Sequence, residues 1–369
     1  MRILLLSKAL VSGAYQKKCE ELAALPGVEL TVAVPPSWRE PRVGTLALER
    51  RFVRGYELVE LPIAFNGHHH VHFYPLFDRL VARVRPDVLH VDEESFNLAT
   101  FLAFRSGVRH GARCCFYNYA NIERRYPPPF SLFERYAFRH ATHALAANRE
   151  AAAIIRAHGY RGPLTIVPQF GVDPEWFAPA KSAPHASHTV TIGYVGRLVP
   201  EKGVLDLVDA VAQLPATCRL RIVGEGNQRD EIAARIAALG LAERVEMQGW
   251  TSDIPAVLQS LDVLVLPSRT TRSWKEQFGR ILVEAMSCGV PVVGSSSGEI
   301  PHVVGDAGRI FPEGNVAALA GVLGELAHSA ALREELARRG RGRVLAEYTQ
   351  AALARRYYDI YTSMLSARS

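Results

Sequence analysis

Short apolar runs alternate with longer stretches of helical periodicity along the chain, the pattern left by the strand-helix-strand units of a parallel sheet. In the first half the runs are Ile3 to Leu6, Leu30 to Val34, Val88 to Val91 and Cys114 to Tyr117, each followed by a polar or glycine-containing loop. The second half repeats the plan with Thr191 to Val195, Arg219 to Val223, Val245 to Gln248, Val263 to Leu266 and Pro291 to Val293. Each set predicts a doubly wound α/β sheet whose ligand crevice lies at the C-terminal ends of the strands. Between the sets, Ile166 to Asp173 leads into Pro174, Pro179, Pro184 and a polar stretch to His188, the composition of a linker. The expected organisation is a first domain over 1–172, a linker over 173–188 and a second domain over 189–351. A Tyr- and Arg-rich last helix, residues 352–369, is expected to pack away from the second sheet and join the first domain. Two Rossmann-like lobes facing one cleft follow from this plan.

Composition narrows the class without changing that picture. The chain has 369 residues, 48% hydrophobic and 22% charged, which excludes a disordered, collagenous or coiled-coil protein. No run of roughly 18 uninterrupted apolar residues is present to span a bilayer. The opening Met1 to Lys8 reads as a first strand and not as a signal peptide, because Lys8 interrupts it and no small-residue cleavage site follows. The expected location is the cytoplasm. Five cysteines, none in a C-x-x-C pair, argue for reduced thiols over a disulfide framework or zinc knuckle. Charge is uneven: residues 1–180 carry 22 Lys and Arg against 17 Asp and Glu, whereas residues 181–369 carry 21 against 20. The basic first half allows attraction to an anionic substrate or to an anionic surface such as the inner face of a membrane. Nucleic acid is not an expected partner, since no Lys/Arg cluster interleaves with aromatics.

Two segments of the second half carry the chemistry. In Gly193 to Gly203 a buried-type strand ends at Gly196, and Arg197 and Lys202 precede a helical pattern from Val204 to Leu214. Glycine allows a ligand close to the backbone, while a planar guanidinium and a point-charge ammonium suit a diphosphate. By itself this segment fits equally well a strand-to-helix turn with two solvated cations. The second segment runs from Glu276 to Val293 and places one carboxylate in a loop and another, Glu284, within an apolar helix. A helix starting near Phe278 directs the amides of Phe278, Gly279 and Arg280 outward from its positive end. Carboxylates accept hydrogen bonds from sugar hydroxyls, so Glu276 and an acid two helical turns on suit the two sugars of a nucleotide sugar. Apolar neighbours around Glu284 argue against a merely solvated helix charge.

Gly196-Arg197-Leu198 with Glu201-Lys202-Gly203, then Gly224-Glu225-Gly226, then Asp262 to Ser268, then Glu276 with seven residues before Glu284, resembles the retaining glycosyltransferases of family 4 (GT4). The match covers roughly the whole second half. The first half is similar more loosely, through its opening strand followed by Gly13 and through Pro168 to Asp173, where Gln169 and Phe170 replace the family's Asn. The resemblance implies a GT-B fold and a nucleoside diphosphate sugar as donor, with no cofactor and no metal. It implies catalytic roles for Arg197, Lys202 and Glu276, with the two cations on the diphosphate and Glu276 at the transferred sugar. Donor contacts are implied for Gly13, Gly196, Gly224, Trp250, Thr251, Phe278, Gly279, Arg280 and Glu284, the last on the ribose and the Trp250-Thr251 segment at the base. Ser295 to Ile300 resembles the loop that closes the donor pocket, with Glu299 as an additional contact. Two departures stand out: Ser12-Gly13-Ala14 has one glycine where many members have two, and Asn118 follows the strand where many have a histidine.

In the first half Asp92, Glu93 and Glu94 end the run Val88 to Val91, where an open sheet binds ligands. Asp92, Glu93 and Asn118 are the acceptor-side candidates, and helix capping by one of the acids is an equal alternative. His68 to His72 is expected to line the acceptor cleft and not to bind metal, because neighbouring loop imidazoles seldom fix a tetrahedral site. Arg124 and Arg125 fit a solvated loop. The expected reaction is transfer of a hexosyl unit to a hydroxyl or amine of a small molecule or of a lipid-linked or anionic glycan. A sugar-nucleotide epimerase and a non-catalytic nucleotide-sugar-binding protein are the alternatives. A dinucleotide oxidoreductase is disfavoured by the lack of G-x-G-x-x-G with an acid about 20 residues on.

Overall fold

The computed structural model describes residues 1–40, 44–180 and 189–366. Part of the expected linker, residues 181–188, and the end of the expected last helix, residues 367–369, lie outside the described residues. The chain divides into two compact units, Met1–Gly171 with Gln350–Ser369, and Val172–Thr349.

The first unit contains strands β1 (Arg2–Leu6), β2 (Glu29–Val34), β3 (Ser37–Glu40), β4 (Gly44–Ala47), β5 (Glu57–Glu60), β6 (Val88–Val91), β7 (Arg113–Asn118), β8 (Ala141–Ala146) and β9 (Leu164–Ile166). Its helices are α1 (Lys17–Ala23), α2 (Phe77–Val84), α3 (Leu98–Arg109), α4 (Phe130–His140) and α5 (Arg149–Ala157). Strand order is β5-β2-β1-β6-β7-β8-β9, all parallel, with β3 and β4 forming a separate antiparallel pair. Successive side chains of a strand face opposite sides. Leu4, Leu6, Leu89, Val91 and Phe116 therefore build one core, and Ile3, Leu5, Val88, Cys115 and Tyr117 another on the opposite face. The strand order reverses between β1 and β6, which makes the ends of these two strands the crevice of the sheet.

The second unit contains β10 (Val190–Val195), β11 (Cys218–Val223), β12 (Val245–Gln248), β13 (Val263–Leu266), β14 (Val292–Ser295) and β15 (Arg309–Phe311). Its helices are α6 (Val204–Ala212), α7 (Arg229–Ala238), α8 (Ile254–Gln259), α9 (Arg280–Ser287), α10 (Ile300–Val304), α11 (Val316–His328) and α12 (Ala330–Glu347). The parallel order is β12-β11-β10-β13-β14-β15, with the reversal between β10 and β13. The last helix, α13 (Gln350–Ser366), belongs to the first unit, where Leu353, Tyr357, Ile360, Tyr361 and Met364 enter the core beside Ile3 and Leu5. Tyr361 closes that contact with its hydroxyl 2.6 Å from His90 Nδ1.

Several elements differ from the apolar pattern. Ala141–Ala146 is a central strand although alanine has low strand propensity. It pairs with β7 on one side and β9 on the other, and Ala144, Leu145 and Ala146 are fully buried. Leu164–Ile166, inside and beside the stretch expected to open the linker, pairs with β8. The run expected from Pro291 starts one residue later, at Val292, because proline has no N–H for a ladder. No single described helix is long and apolar enough to cross a membrane.

The two loops after β10 and β11 meet at glycine. Gly224 has φ +152°, and a Cβ built on it stands 1.8 Å from the carbonyl oxygen of Gly196. Gly224→Ala is expected to lower the unfolding free energy by about 2 kcal/mol or more, since a backbone atom must move to make room. Urea denaturation checks this, and an unchanged midpoint contradicts the close approach.

Candidate active site

In the second unit the site begins where β10 gives way to loop at Gly196. Tyr194, buried beneath, donates from its hydroxyl to the carbonyl of Arg197 at 2.6 Å and so fixes the turn. The Arg197 side chain is half exposed and 3.9 Å from Glu201, a geometry that leaves the guanidinium fork able to meet a ligand. A single 3₁₀ turn, Pro200–Lys202, then leads into α6. Lys202 does not point into solvent. Its Nζ donates to Glu276 Oε2 at 2.5 Å and lies 4.8 Å from the ring centre of Trp274. Ser268, just after β13, donates to the same Oε2 at 2.9 Å. This partnership excludes the reading in which Lys202 is only a solvated cation.

The helix expected to start near Phe278 starts instead at Arg280, with Gly279 at φ +74° as its N-cap. The positive φ that glycine accepts there sets the start, and Phe278 lies before the helix with its ring 5.7 Å from that of Tyr348. The Leu282 N–H is taken up by Gly279 O at 2.9 Å. The helix mouth is thus built on Gly279 and Arg280, and Phe278 does not belong to the first turn. Glu284 in consequence lies little more than one turn into α9. It is buried, and Arg280 Nε donates to its Oε1 at 2.7 Å. Burial raises the Glu284 carboxyl above the usual carboxylate range, with Arg280 opposing the rise.

The segment 295–300 closes onto Glu276. The Glu299 N–H donates to the Glu276 carbonyl at 3.1 Å, and Gly298, at φ +54°, lies so near that a Cβ would stand 2.0 Å from that oxygen. Glu299 itself is buried. Just past the end of β12, Trp250 is 66% exposed, which leaves much of its ring open to a planar ligand. Thr251 Oγ1 accepts from the Asp253 N–H at 3.2 Å. Gly224 and Gly196 complete the loop pair described above.

The first unit brings Asp92, Glu93 and Asn118 to the ends of β6 and β7, all buried. Gly13 does not offer an open amide, since its N–H donates to Glu49 Oε2 at 2.7 Å, and the strap carrying Glu49 is pinned by buried Gln16. Asp92 accepts from Ser7 Oγ at 2.6 Å and from Gln169 Nε2 at 2.9 Å. Glu93 pairs with Lys8 through Oε2 and approaches His72 Nε2 at 3.4 Å through Oε1. Asn118 bonds to Ser95 through both ends of its amide. Helix α3 is capped by Asn97 without a side-chain bond, so none of the three acids caps it. His72 is buried against Glu93 and is not a cleft-lining residue, whereas His70 sits among Phe96, Tyr126 and Phe130. Among the described residues no group of three or more His, Cys, Asp or Glu is arranged to hold a metal. Lys8, Ser268 and Trp274 were not singled out by the sequence, and only the motif position of Ser268 signalled any of them; His72 entered only as a member of the histidine run.

Two family models match consecutive parts of the chain, glycosyltransferase family 4 over residues 18–176 and glycosyl transferases group 1 over residues 180–343. The chain belongs to the GT4-type glycosyltransferases. This GT4 protein is 32% identical to the 2-deoxystreptamine glucosyltransferase of Streptomyces kanamyceticus over 57% of its own length and 56% of that protein. It is 36% identical to the 2-deoxystreptamine N-acetyl-D-glucosaminyltransferase of Streptomyces fradiae over 36% of its own length and 33% of that protein. The matched part thus spans about half the length, or less, of these curated relatives. The crystal structure of Alr3699/HepE from Anabaena in complex with UDP superposes with a TM-score of 0.74 at 19% identity, covering 98% of this chain and 100% of that one. The fold of this GT4 protein is therefore α/β of the GT-B class, with two Rossmann-like domains.

The acids of the first unit titrate in opposite directions. Burial alone pushes Glu93 up, but Lys8 and His72 outweigh it and hold the carboxyl down at about 2. For Glu94, burial wins over the amides of Tyr119 and Ala120 and raises the carboxyl to about 7. A raised carboxyl binds more protons folded than unfolded, so it costs stability as pH climbs from about 4.5 to 7. Glu93 contributes the reverse, a stability present above about 4.5 and lost as pH falls toward 2. Glu94→Gln is expected to flatten the decline between pH 5 and 7.5 relative to wild type in thermal melts. Parallel curves for the two proteins contradict the assignment.

Proposed function

We propose that this protein transfers a hexosyl unit from a nucleoside diphosphate sugar to a hydroxyl or amine acceptor, with retention of the anomeric configuration. The observation that carries the reading is the clasp of Lys202 and Ser268 on buried Glu276, one loop away from the mouth of α9 and its buried Glu284. Arg197 and the remaining donors of Lys202 suit the diphosphate, Glu276 the transferred sugar, and Glu284 the ribose. Trp250 offers a face to the base.

As the bond between the anomeric carbon and phosphate oxygen breaks, negative charge gathers on the departing diphosphate. Arg197, Lys202 and the α9 N-terminus stabilise it where they are already positioned. The acceptor attacks from the face the leaving group vacates, and its proton passes to the leaving phosphate oxygen. Asn118 then need not take a proton. The cations stand in for a divalent ion, and no cofactor is used. Acceptors in this reading are polar small molecules or lipid-linked or anionic glycans. The site of action is the cytoplasm, with contact at the inner membrane face supported by the basic charge of residues 1–180.

Thermal-shift measurement with UDP-, GDP- and ADP-linked glucose tests the donor class. Stabilisation by one of them is expected, and stabilisation by a dinucleotide cofactor alone contradicts the reading. Arg197→Ala is expected to lower turnover on the order of a hundredfold in a folded protein, by analogy with the loss of one oxyanion donor. Equal turnover removes Arg197 from the mechanism. Activity that survives exhaustive chelation with EDTA is expected, and loss restored by a divalent ion contradicts the metal-free account.

A further inference from the structure

Glu276 is gripped through both its main chain and its side chain, within the second unit alone. Its carbonyl is held by the Glu299 N–H, while its Oε2 receives Lys202 Nζ and Ser268 Oγ. Ser268 is fully buried, two residues past the end of β13, and its own carbonyl accepts from Ser295 Oγ at 2.5 Å. The two donors on Oε2 differ in what they can fix. An ammonium on a four-carbon stem is a flexible point charge, and the terminal torsion of a glutamate is broad. Lys202 therefore neutralises the carboxylate without setting its rotation. A serine hydroxyl on a short side chain just past a buried strand has one hydrogen to give, from an oxygen whose position is nearly fixed.

Resting on the glycosyl-transfer reading above, we propose that Ser268 is a positioning residue for the reaction. Its hydroxyl fixes the rotation of the Glu276 carboxylate, turning Oε2 to Lys202 and presenting Oε1 to the hydroxyls of the transferred sugar. The residue acts through Glu276 and touches neither donor nor acceptor. Lys202 has further donors for the diphosphate, so the same ammonium links the leaving group to the acid that Ser268 orients.

The test uses the full chain and whichever of UDP-, GDP- or ADP-glucose stabilises the wild type. Ser268→Ala is expected to lower kcat about tenfold or more, the effect of losing one hydrogen bond to a charged group. The Kd of the matching nucleoside diphosphate should stay within about twofold. In a Glu276→Gln background the same change should add less than about twofold, because residues acting as one unit are not additive. Wild-type kcat in Ser268→Ala, or an equal fold-loss in both backgrounds, overturns the proposal and leaves the donor reading standing. Wild-type turnover in Glu276→Gln instead removes Glu276 from the proposed site and takes this inference with it. If Ser268→Ala does not fold, Ser268→Cys, close in volume but a weaker donor, carries the same comparison.

Discussion

A carboxylate taken out of water has to be met by charge or by hydrogen bonds, and Glu276 is met by both. The ammonium of Lys202 and the hydroxyl of Ser268 converge on one of its oxygens. That convergence ties together the loop after β10, the end of β13 and the segment leading to α9. Remove it, and a buried charge is left without compensation, which costs far more than the ion pair contributes in net stability. The segment 295–299 closes over the same residue through its main chain. The geometry around the proposed donor is thus a consequence of satisfying one buried acid.

The first unit solves the same problem three ways on three consecutive residues. Asp92 is satisfied by neutral donors from Ser7 and Gln169, whereas Glu93 is met by the Lys8 ammonium on Oε2 and lies 3.4 Å from the His72 imidazole through Oε1. Glu94 receives only two backbone amides on Oε1, and its carboxyl rises toward neutrality. Desolvation is common to all three, so the difference lies in what the neighbouring strand ends supply. The partners come in parallel register. Leu6 lies opposite Val91, and continuing past the strands brings Ser7 to Asp92 and Lys8 to Glu93. The acids are therefore part of the architecture of the crevice as well as candidates for contact with an acceptor.

Much of the plan was legible in the chain. The nine apolar runs all correspond to strands, most within a residue at each end, because a strand buried on both faces is predominantly apolar and so stands out from its neighbours. The Glu276 to Glu284 spacing, the cations Arg197 and Lys202, and the resemblance to GT4 proteins marked the site. The helix start near Phe278 was wrong because Gly279 adopts a left-handed conformation and delays the helix to Arg280. Ala141–Ala146 was missed because its composition carries little strand signal, and its pairing with β7 and β9 makes it one. The histidine run was read as a cleft loop, whereas one of its members, His72, is fully buried and stands 3.4 Å from Glu93.

Periodicity and motif order determined the two parallel sheets, the strands that end at the site, and which residue types stand at those ends, since these depend on near neighbours in sequence. Pairings between residues 74 or 85 positions apart were decided only by the tertiary structure. Which acid is neutralised, which is hydrogen-bonded, and which glycine amide is already taken all depend on strand order and register. Those are set by the packing of whole layers, and no local stretch of the chain encodes them.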